Sequence, residues 1–368
     1  MLFALSGSKP TTNDPVTRIL IIKIGALGDV LRTTSILPGL HEAHPGAHIE
    51  WVTAASAEEL VTGNPLVAKT HLVDPNSASE FRALGDKLAE ETWQWVISLD
   101  DEALSCALAT QVGTEKCSGA FAKDDGQLFY TDDVAPWFDM GLMSRRGKEV
   151  ADRMKVENQR SHAEIYAQML GIPMGRPALE LPQELLQRAA SQLAGTSRES
   201  SKRLIGLNTA AAGRWTSKAL PPERVVEFAA RLHHELDGEV TFVLLGGRDE
   251  APRNAGLLAQ LRGHPEGLDV IDGGTENSTL EFAALIDGLD LLLTSDSLAL
   301  HIGVARNTPI VAFFAPTSAA EIELYGLGHK VMSQSADYCS FRPDADNRTI
   351  TAERLVDAVC DVLRDHRS

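Results

Sequence analysis

Asp29 is the first residue of the sequence whose type and position indicate chemistry. It follows the turn Gly25-Ala-Leu-Gly28 and an apolar, β-branched segment at residues 18–24, and a helical pattern then continues to about residue 44. Open α/β sheets bind ligands at the carboxyl ends of their strands, where such a turn lies. Asp29 is therefore a candidate ligand-site residue, although its position alone favours a helix cap, a role that aspartate often fills.

A second junction between a strand and a helix carries three candidates, Asp296, Ser297 and His301. It follows an apolar strand predicted at residues 289–294 and opens a helix predicted at residues 297–304. Backbone N–H groups in the first turn of a helix lack intrahelical acceptors, so phosphate is the ligand expected beside Ser297. The alternatives are a helix cap for Asp296 and a core position for His301. Because both residues flank one helix start, we favour a binding site.

Two loops that leave strands in the same half of the chain add further candidates. Lys218 ends a loop of small residues that begins at Thr209, and its ammonium group could neutralise a diphosphate. Glu250 follows Gly246-Gly247 after another strand, where it could bind a ribose diol or favour the start of a helix. The alternative for Lys218 is an ordinary surface lysine.

The composition limits the class of protein. A length of 368 residues exceeds what one hydrophobic core usually serves, so two domains are predicted. The net charge of −17 argues against nucleic-acid binding, because no overall positive field would attract phosphates. The four cysteines lack metal-ligand spacing, and the acidic triplet Asp344-Ala-Asp346 lies in a polar loop instead of at a strand end. No metal site and no cofactor are therefore predicted.

Strand and helix patterns alternate twice along the chain, which predicts an α/β protein with two parallel, helix-covered sheets. We expect a disordered tail at residues 1–17, an N-terminal Rossmann-like domain at 18–180 and a C-terminal one at 181–350. A final helix within 351–368 has one apolar face, and the N-terminal domain is one candidate for the surface that covers it. Through most of residues 100–159 the pattern is loose, and no element is predicted there.

Residues 19–34 resemble the opening motif of the bacterial ADP-heptose:lipopolysaccharide heptosyltransferases, glycosyltransferase family 9. Other segments match donor-side motifs of that family in order and approximate spacing: Leu207-Asn-Thr209 with Arg214-Trp-Thr-Ser-Lys218, Gly246-Gly247 with Glu250, and Asp296 through His301 with Pro316-Thr317. The resemblance covers nearly the whole chain. It implies a GT-B fold with two Rossmann-like domains facing across a cleft, in which the N-terminal domain binds the acceptor and the C-terminal domain the nucleotide.

The resemblance also implies an activity, which is inverting, metal-independent transfer of heptose from ADP-heptose to a hydroxyl of a lipopolysaccharide-core-like acceptor. Asp29 would be the base. Thr209, Lys218 and the helix N-terminus at Ser297 would hold the diphosphate. The other donor-site residues implied are Asp296 for sugar hydroxyls, Glu250 for the ribose, and His301 for the phosphate or the rim of the sugar.

Three positions depart from the family pattern. Family members usually have glycine soon after the donor aspartate and Gly-Pro-Thr after the last strand, whereas this chain has Leu298 and Ala315. Ser318 stands where an acid is common. These departures leave the identity of the donor sugar open.

The acceptor implied by the family is an acidic or phosphorylated saccharide on a lipid. Residues 141–160 form the most basic stretch of this acidic chain, and Arg145, Arg146 and Lys148 are the candidates for binding acceptor acids or the membrane surface. The alternative is a solvated loop and helix face. The first residues lack the pattern of an export signal, so we expect a cytoplasmic enzyme, with peripheral contact at the inner membrane as an option.

Two other classes stay open on the residues alone. The first is a GT-B transferase or epimerase-like enzyme that uses another nucleotide sugar. The second is a catalytically silent protein that binds a sugar nucleotide, although the presence of both Asp29 and Lys218 argues against it.

Overall fold

The computed structural model describes residues 16–123, 125–194, 202–210 and 215–366. Most of the predicted N-terminal tail, the polar run at 195–201 and Arg214 of the proposed donor motif lie outside the described residues.

The N-terminal half folds around a six-stranded sheet in which five strands are parallel. In chain order its strands are β1 (Arg18–Ile22), β2 (His48–Ala54), β3 (Lys69–Val73), β4 (Trp95–Ser98), β5 (Lys116–Ala122) and β6 (Leu128–Tyr130). Their spatial order is β3-β2-β1-β4-β5-β6, with β6 antiparallel to β5. The central strand β1 is inaccessible to solvent from Ile19 to Ile22, which explains its continuous apolar run.

Helices surround this sheet and lead into the second half. They are α1 (Leu27–Thr33), α2 (Ile36–Ala43), α3 (Ala78–Leu88), α4 (Ala103–Val112), α5 (Ala135–Phe138), α6 (Lys148–Glu157), α7 (His162–Leu170) and α8 (Gln183–Ala194), with 3-10 turns at Ala55–Leu60 and Asp132–Val134. Helix α7 starts at a reciprocal cap, in which Ser161 accepts from the Glu164 N–H and the Glu164 carboxylate accepts from Ser161. Helix α8 already packs on the C-terminal half, against α11 (Thr279–Asp287).

The C-terminal half contains a second six-stranded sheet, and all its strands are parallel. They are β7 (Arg203–Asn208), β8 (Val240–Leu244), β9 (Asp269–Asp272), β10 (Leu291–Ser295), β11 (Ile310–Phe314) and β12 (Gly328–Met332), in the order β12-β11-β10-β7-β8-β9. Its other helices are α9 (Pro222–Glu235), α10 (Ala251–Arg262), α12 (Leu298–Arg306) and α13 (Ala352–Asp365), with 3-10 turns at Thr216–Lys218 and Arg248–Glu250. The prediction of two parallel-sheet α/β domains is confirmed.

Two regions differ from the sequence expectation. The stretch predicted to be loose contains α4, β5, β6 and α6, and β12 was not predicted at all. The final helix α13 packs on α9 and on strands β10 to β12 of its own domain, whereas the sequence had also allowed packing on the N-terminal domain. Its apolar face, with Leu355 and Val359 fully buried, extends the cluster that contains Phe228 of α9.

The two domains meet where helix α1 of the first lies against helix α12 of the second. The contact is closest at Gly28, where a Cβ atom would stand 2.6 Å from Cδ2 of His301. His301 is only 7% exposed, so its ring has little room to move aside. A side chain at position 28 would therefore force the domains apart or displace the imidazole.

This contact predicts opposite effects for two glycine-to-alanine substitutions. Gly28→Ala should lower the free energy of unfolding by about 1–3 kcal/mol, because it overpacks the domain contact. Gly256→Ala in α10, where no atom lies within 4 Å of the new methyl group, should raise it by roughly 0.5–1 kcal/mol. Denaturant titration of both variants measures the difference. A Gly28→Ala protein as stable as the Gly256→Ala protein would show that the α1–α12 contact is loose.

Candidate active site

A cavity of about 490 Å³ opens in the C-terminal domain at the carboxyl ends of its central strands. The loops after β7, β8 and β10 form its walls, and Leu27 at the start of α1 reaches it from the N-terminal domain. This is the edge at which parallel sheets bind ligands, and the volume suits a small-molecule site. We call it the donor cavity. It is lined by Leu27, Asn208, Ala210, Trp215, Lys218, Gly246, Gly247, Glu250, Asn277, Ser278, Thr279, Phe282, Asp296, Ser297, Leu298 and Ala299.

Lys218 and Asp296 form an ion pair in the wall of the donor cavity. The Lys218 ammonium group donates to Oδ2 of Asp296 at 2.8 Å and to the backbone oxygen of the same residue at 2.8 Å. Burial would raise the pKa of Asp296, but the charges of Lys218 and His301 and the hydrogen bonds from Lys218 and Thr317 together outweigh it and lower the pKa to about 2. The Asp296 carboxyl group is therefore ionised at neutral pH. The alternative interpretation of Lys218 as an ordinary surface lysine does not hold, since its side chain is 14% exposed.

His301 lies between the donor cavity and the N-terminal domain. Its Nε2 atom is 4.0 Å from Oδ1 of Asp296, and its ring faces Gly28 across the domain contact. Burial and the nearby guanidinium group of Arg32 lower the pKa of His301 to about 4. The imidazole is therefore neutral at physiological pH and can accept or donate a hydrogen bond without adding charge.

Asp29 projects from the third position of α1 and does not cap the helix. The N-cap residue is Ala26, which has no side-chain acceptor, so the capping interpretation of Asp29 is wrong. Its Oδ1 atom instead pairs with Nη2 of Arg32 at 3.0 Å. Partial burial would raise the pKa of Asp29, but the charges of Arg32, Lys23 and His301 together outweigh it, and the pKa lies below its ordinary value.

Asp29 and the donor-cavity residues interact through space. The charge of Asp296 acts on Asp29 to raise its pKa, and His301, when protonated under acidic conditions, acts to lower it. The Asp29 side chain is 41% exposed, so solvent and ligands can reach the carboxylate. The domain contact thus places one accessible carboxylate opposite the Lys218–Asp296 pair.

The N-terminus of α12 forms the floor of the donor cavity. Ser297 is the N-cap residue, but its hydroxyl accepts from Nδ2 of Asn208 at 3.2 Å instead of capping the helix. The same amide donates to Thr294 at 3.1 Å, so one buried asparagine at the end of β7 holds the loop after β10. Ser297, Leu298 and Ala299 then present the first-turn N–H groups to the cavity, as a phosphate site requires.

Glu250 and Thr209 differ in their access to the donor cavity. Glu250 lines it, while its Oε2 atom accepts from the Gly247 N–H at 2.7 Å and so also orders the loop after β8. Thr209 is fully buried and is absent from the lining. Its hydroxyl lies 3.3 Å from Nη2 of Arg253, so in this conformation Thr209 supports the wall and has no path to a ligand.

The sequence analysis missed several wall residues. Phe282 and the segment 277–279 belong to the start of α11, and Trp215 precedes the turn that carries Lys218. The sequence did contain a signal for the first group, because Ser278 and Glu281 form a capping box that marks a helix start at the same edge of the sheet. Asn208 stood inside a quoted motif, but nothing in the sequence showed that its amide would bridge two loops.

The three basic residues predicted to bind the acceptor lie outside the donor cavity. Arg145 pairs with Asp132 at 2.7 Å, Arg146 pairs with Asp139 at 2.7 Å, and Lys148 pairs with Asp152 within α6.

These three cations are exposed and do not line the donor cavity. Their charges are already paired in the structure, which weakens the case for a strong anion site there.

No helix among the described residues is long and apolar enough to cross a bilayer. No group of three or more histidine, cysteine, aspartate or glutamate side chains among them could hold a metal ion.

Known proteins share this architecture. The crystal structure of the glycosyl transferase family 9 protein from Veillonella parvula superimposes with a TM-score of 0.73 at 20% identity, covering 96% of this chain and 100% of that one. The E. coli ADP-heptose lps heptosyltransferase II gives a TM-score of 0.66 at 21% identity, with coverage of 96% and 100%. The E. coli heptosyltransferase WaaC with ADP-2-deoxy-2-fluoro heptose gives 0.56 at 18%, with coverage of 95% and 100%.

These matches establish the fold as GT-B, with two Rossmann-like domains facing across a cleft, as predicted. The family model for glycosyltransferase family 9 (heptosyltransferase) matches residues 81–348. The chain belongs to this family and is a glycosyltransferase. No curated protein sequence matches it.

The Asp29–Arg32 pair predicts the direction of a titration change. Arg32→Met should raise the pKa of the Asp29 carboxyl group, because removal of the adjacent cation leaves the carboxylate less stabilised. Selective ¹³C labelling of aspartate followed by NMR titration would measure this change in the pKa of Asp29.

Arg231→Met, which removes an exposed arginine paired with Glu227 in α9, should leave that titration unchanged. An unaltered Asp29 titration in the Arg32→Met protein would show that Arg32 does not hold the carboxylate in its ionised form.

Proposed function

We propose that the protein transfers a heptose from ADP-heptose to a hydroxyl of a lipopolysaccharide-core-like acceptor, with inversion and without a metal. The observation that carries the proposal is the accessible Asp29 carboxylate opposite the Lys218–Asp296 pair, next to a cavity of about 490 Å³. Membership of glycosyltransferase family 9 supports it. So does the similar E. coli enzyme WaaC, whose structure contains ADP-2-deoxy-2-fluoro heptose.

In the proposed reaction, the acceptor oxygen attacks the anomeric carbon as the bond to the diphosphate oxygen breaks. The acceptor proton moves to Asp29, and the electron pair of the broken bond leaves with ADP. A carboxylate of low pKa is a weak base for an alcohol, so proton transfer occurs as the hydroxyl acidifies in the transition state. Arg32 holds Asp29 anionic and aimed until that point.

The donor would lie with its diphosphate at the N-terminus of α12. The first-turn N–H groups at Ser297 and the Lys218 ammonium group are the positive elements of the wall. Asp296 would take sugar hydroxyls, Glu250 the ribose, and neutral His301 the rim of the sugar near the domain contact. Thr209 would act through the wall and not by direct contact.

Donor binding has to open the Lys218–Asp296 pair at least in part. A diphosphate attracts Lys218 and repels Asp296, which frees that carboxylate for the hydroxyls of the sugar. One ion pair would thereby be exchanged for two ligand contacts, and the N-terminus of α12 would supply the other positive potential that faces the diphosphate.

A different nucleotide sugar is the second candidate, and one residue favours it. Leu298 lines the donor cavity at the start of α12, where related sequences usually have glycine. A leucine side chain there reduces the space beside Asp296. A donor panel assayed by thermal shift distinguishes the two, because stabilisation increases with the ratio of ligand concentration to Kd.

For the acceptor, we propose that Arg145, Arg146 and Lys148 bind acidic groups distant from the reacting hydroxyl. An anionic membrane surface at the cytoplasmic face is the other candidate ligand for these residues. Leu142, which is 96% exposed, lies in the same stretch and adds an apolar side chain to that surface. Binding there would replace exposed ion pairs with nearby aspartates by ion pairs with the ligand, so the expected gain in binding free energy is small.

The base assignment predicts a specific loss for Asp29→Asn. Asparagine keeps the size of the side chain but accepts no proton, so kcat for ADP release should fall by a factor on the order of 10²–10⁴. ADP affinity should be unchanged, since Asp29 does not line the donor cavity. Asp357→Asn, an exposed aspartate of α13, serves as the control. A folded Asp29→Asn protein that turns over at the parent rate would refute the assignment.

The role of Lys218 predicts weaker ADP binding in Lys218→Met, by about 10- to 100-fold, since one hydrogen bond between charged groups is lost. Calorimetry with ADP measures it, and exposed Lys87→Met in α3 is the matched control.

The double variant Lys218→Met with Asp296→Asn separates two mechanisms. If Lys218 contacts the diphosphate, ADP affinity stays low in the double variant. Full recovery would mean that Lys218 only neutralises Asp296, and the direct contact would be abandoned.

A further inference from the structure

A second cavity, of about 470 Å³, lies on the N-terminal domain directly beside the donor cavity. It sits at the carboxyl ends of β1 and β2, and the N-terminus of α4 forms one side. We call it the acceptor cavity. It is lined by Ile24, Gly25, Ala26, Leu27, Ala54, Ser56, Pro75, Phe81, Glu102, Ala103, Leu104 and Ser105.

The two cavities share Leu27, which lies two residues before Asp29 on α1. A hydroxyl group that projects from the acceptor cavity past Leu27 therefore arrives at the proposed base. This adjacency connects the acceptor cavity to the reaction and not only to the surface of the domain.

The charge of the acceptor cavity is negative. Among the described residues that line it, none is lysine, arginine or histidine, and Glu102 is the charged one. Burial, together with the neighbouring carboxylates of Asp100 and Asp101, raises the pKa of Glu102, and the opposing effect of the Lys23 charge is smaller. An anionic ligand would meet this carboxylate and no cation among the described lining residues.

The nearest cation below the cavity floor is already used. The Lys23 ammonium group is buried, pairs with Asp100 and donates to the Gly25 carbonyl oxygen at 2.6 Å. Lys23 does not line the cavity, and its charge is already paired with Asp100, so it is poorly placed to bind an acidic ligand there.

The N-terminus of α4 does not reverse this balance. Its first-turn N–H groups carry the equivalent of about half a positive charge. Glu102 is the N-cap residue of the same helix and brings a full negative charge to the same place. The sum is negative, and it favours hydroxyl donors over carboxylate or phosphate oxygens.

The remaining walls are largely apolar, with Phe81, Leu104, Leu27 and Ile24 as the largest groups. Such walls match the C–H face of a sugar ring, whereas Glu102 and Ser56 can bind its hydroxyls.

Resting on the proposed function, we propose that the acceptor cavity binds an uncharged sugar as the reacting residue of the acceptor, and that Glu102 selects against acidic sugars. The acidic groups that the family resemblance implied for the acceptor would then lie at a distance from the reacting hydroxyl.

The test compares glycosides that differ only at C6: the methyl glycosides of glucose, galactose and mannose, and their uronic acid counterparts. Saturation-transfer NMR with the full-length protein measures binding without requiring turnover. We expect at least one neutral glycoside to bind more tightly than its uronide. Glu102→Lys should change that ratio by about fivefold or more in favour of the uronide, because it replaces a negative charge by a positive one at a solvated site.

A second variant locates the site. Ala103 is exposed at the mouth of the acceptor cavity, so Ala103→Trp should block it and remove glycoside binding, while ADP binding in the donor cavity is retained. Retained ADP binding also shows that the variant is folded.

Three results would overturn the proposal: a parent protein that prefers the uronides, a parent that binds none of the neutral glycosides, or a preference that Glu102→Lys leaves unaltered. None of them bears on ADP binding or on the Lys218 variants, so a failure here is distinct from a failure of the proposed transfer.

Discussion

The close approach of α1 and α12 is the constraint on which the site depends. Gly28 has no side chain, and the ring of His301 occupies the space that a Cβ atom would need. This contact fixes the separation of the two domains at the point where their sheets present their carboxyl edges. Asp29 follows Gly28 directly, so the residue that allows the contact also positions the carboxylate. A larger residue at 28 would therefore disturb both the packing of the domains and the geometry between Asp29 and the donor cavity.

Charge is distributed unequally between the two sides of the cleft. On the donor side, Lys218 and the N-terminus of α12 supply positive potential, and Asp296 balances it in the absence of a ligand. On the acceptor side, Arg32 is paired with Asp29 and Lys23 with Asp100, so both cations are already neutralised. The cleft thus attracts a polyanion to one wall only. That asymmetry orients a nucleotide sugar, because its diphosphate has one favourable place to go.

The sequence was most informative where strands are buried and where loops leave them. The continuous apolar run of β1 and the glycine turn after it predicted both the strand and the position of Asp29. Four donor-side candidates, Lys218, Glu250, Asp296 and Ser297, do line one cavity, because carboxyl ends of parallel strands converge at one edge. In the region from α4 to α6, strand β6 has only three residues and α5 only four, too few to show a period, whereas the ten-residue helices α4 and α6 were missed without that reason.

What the sequence could not supply was pairing between residues distant in the chain. Local pattern suggested a cap for Asp29, whereas the structure shows an ion pair with Arg32 and no cap. The burial of Thr209 behind Arg253 depends on the packing of α10 against the loop after β7, which no local spacing encodes. The acceptor cavity is the clearest case. Its charge follows from Glu102 facing outward while Lys23 is turned inward to Asp100, and these opposite orientations exist only once β1 and β4 are paired. A family resemblance therefore identifies the type of reaction more readily than the acceptor. The type of reaction depends on motifs, whereas recognition of the acceptor depends on which carboxylates the cations of the fold pair with.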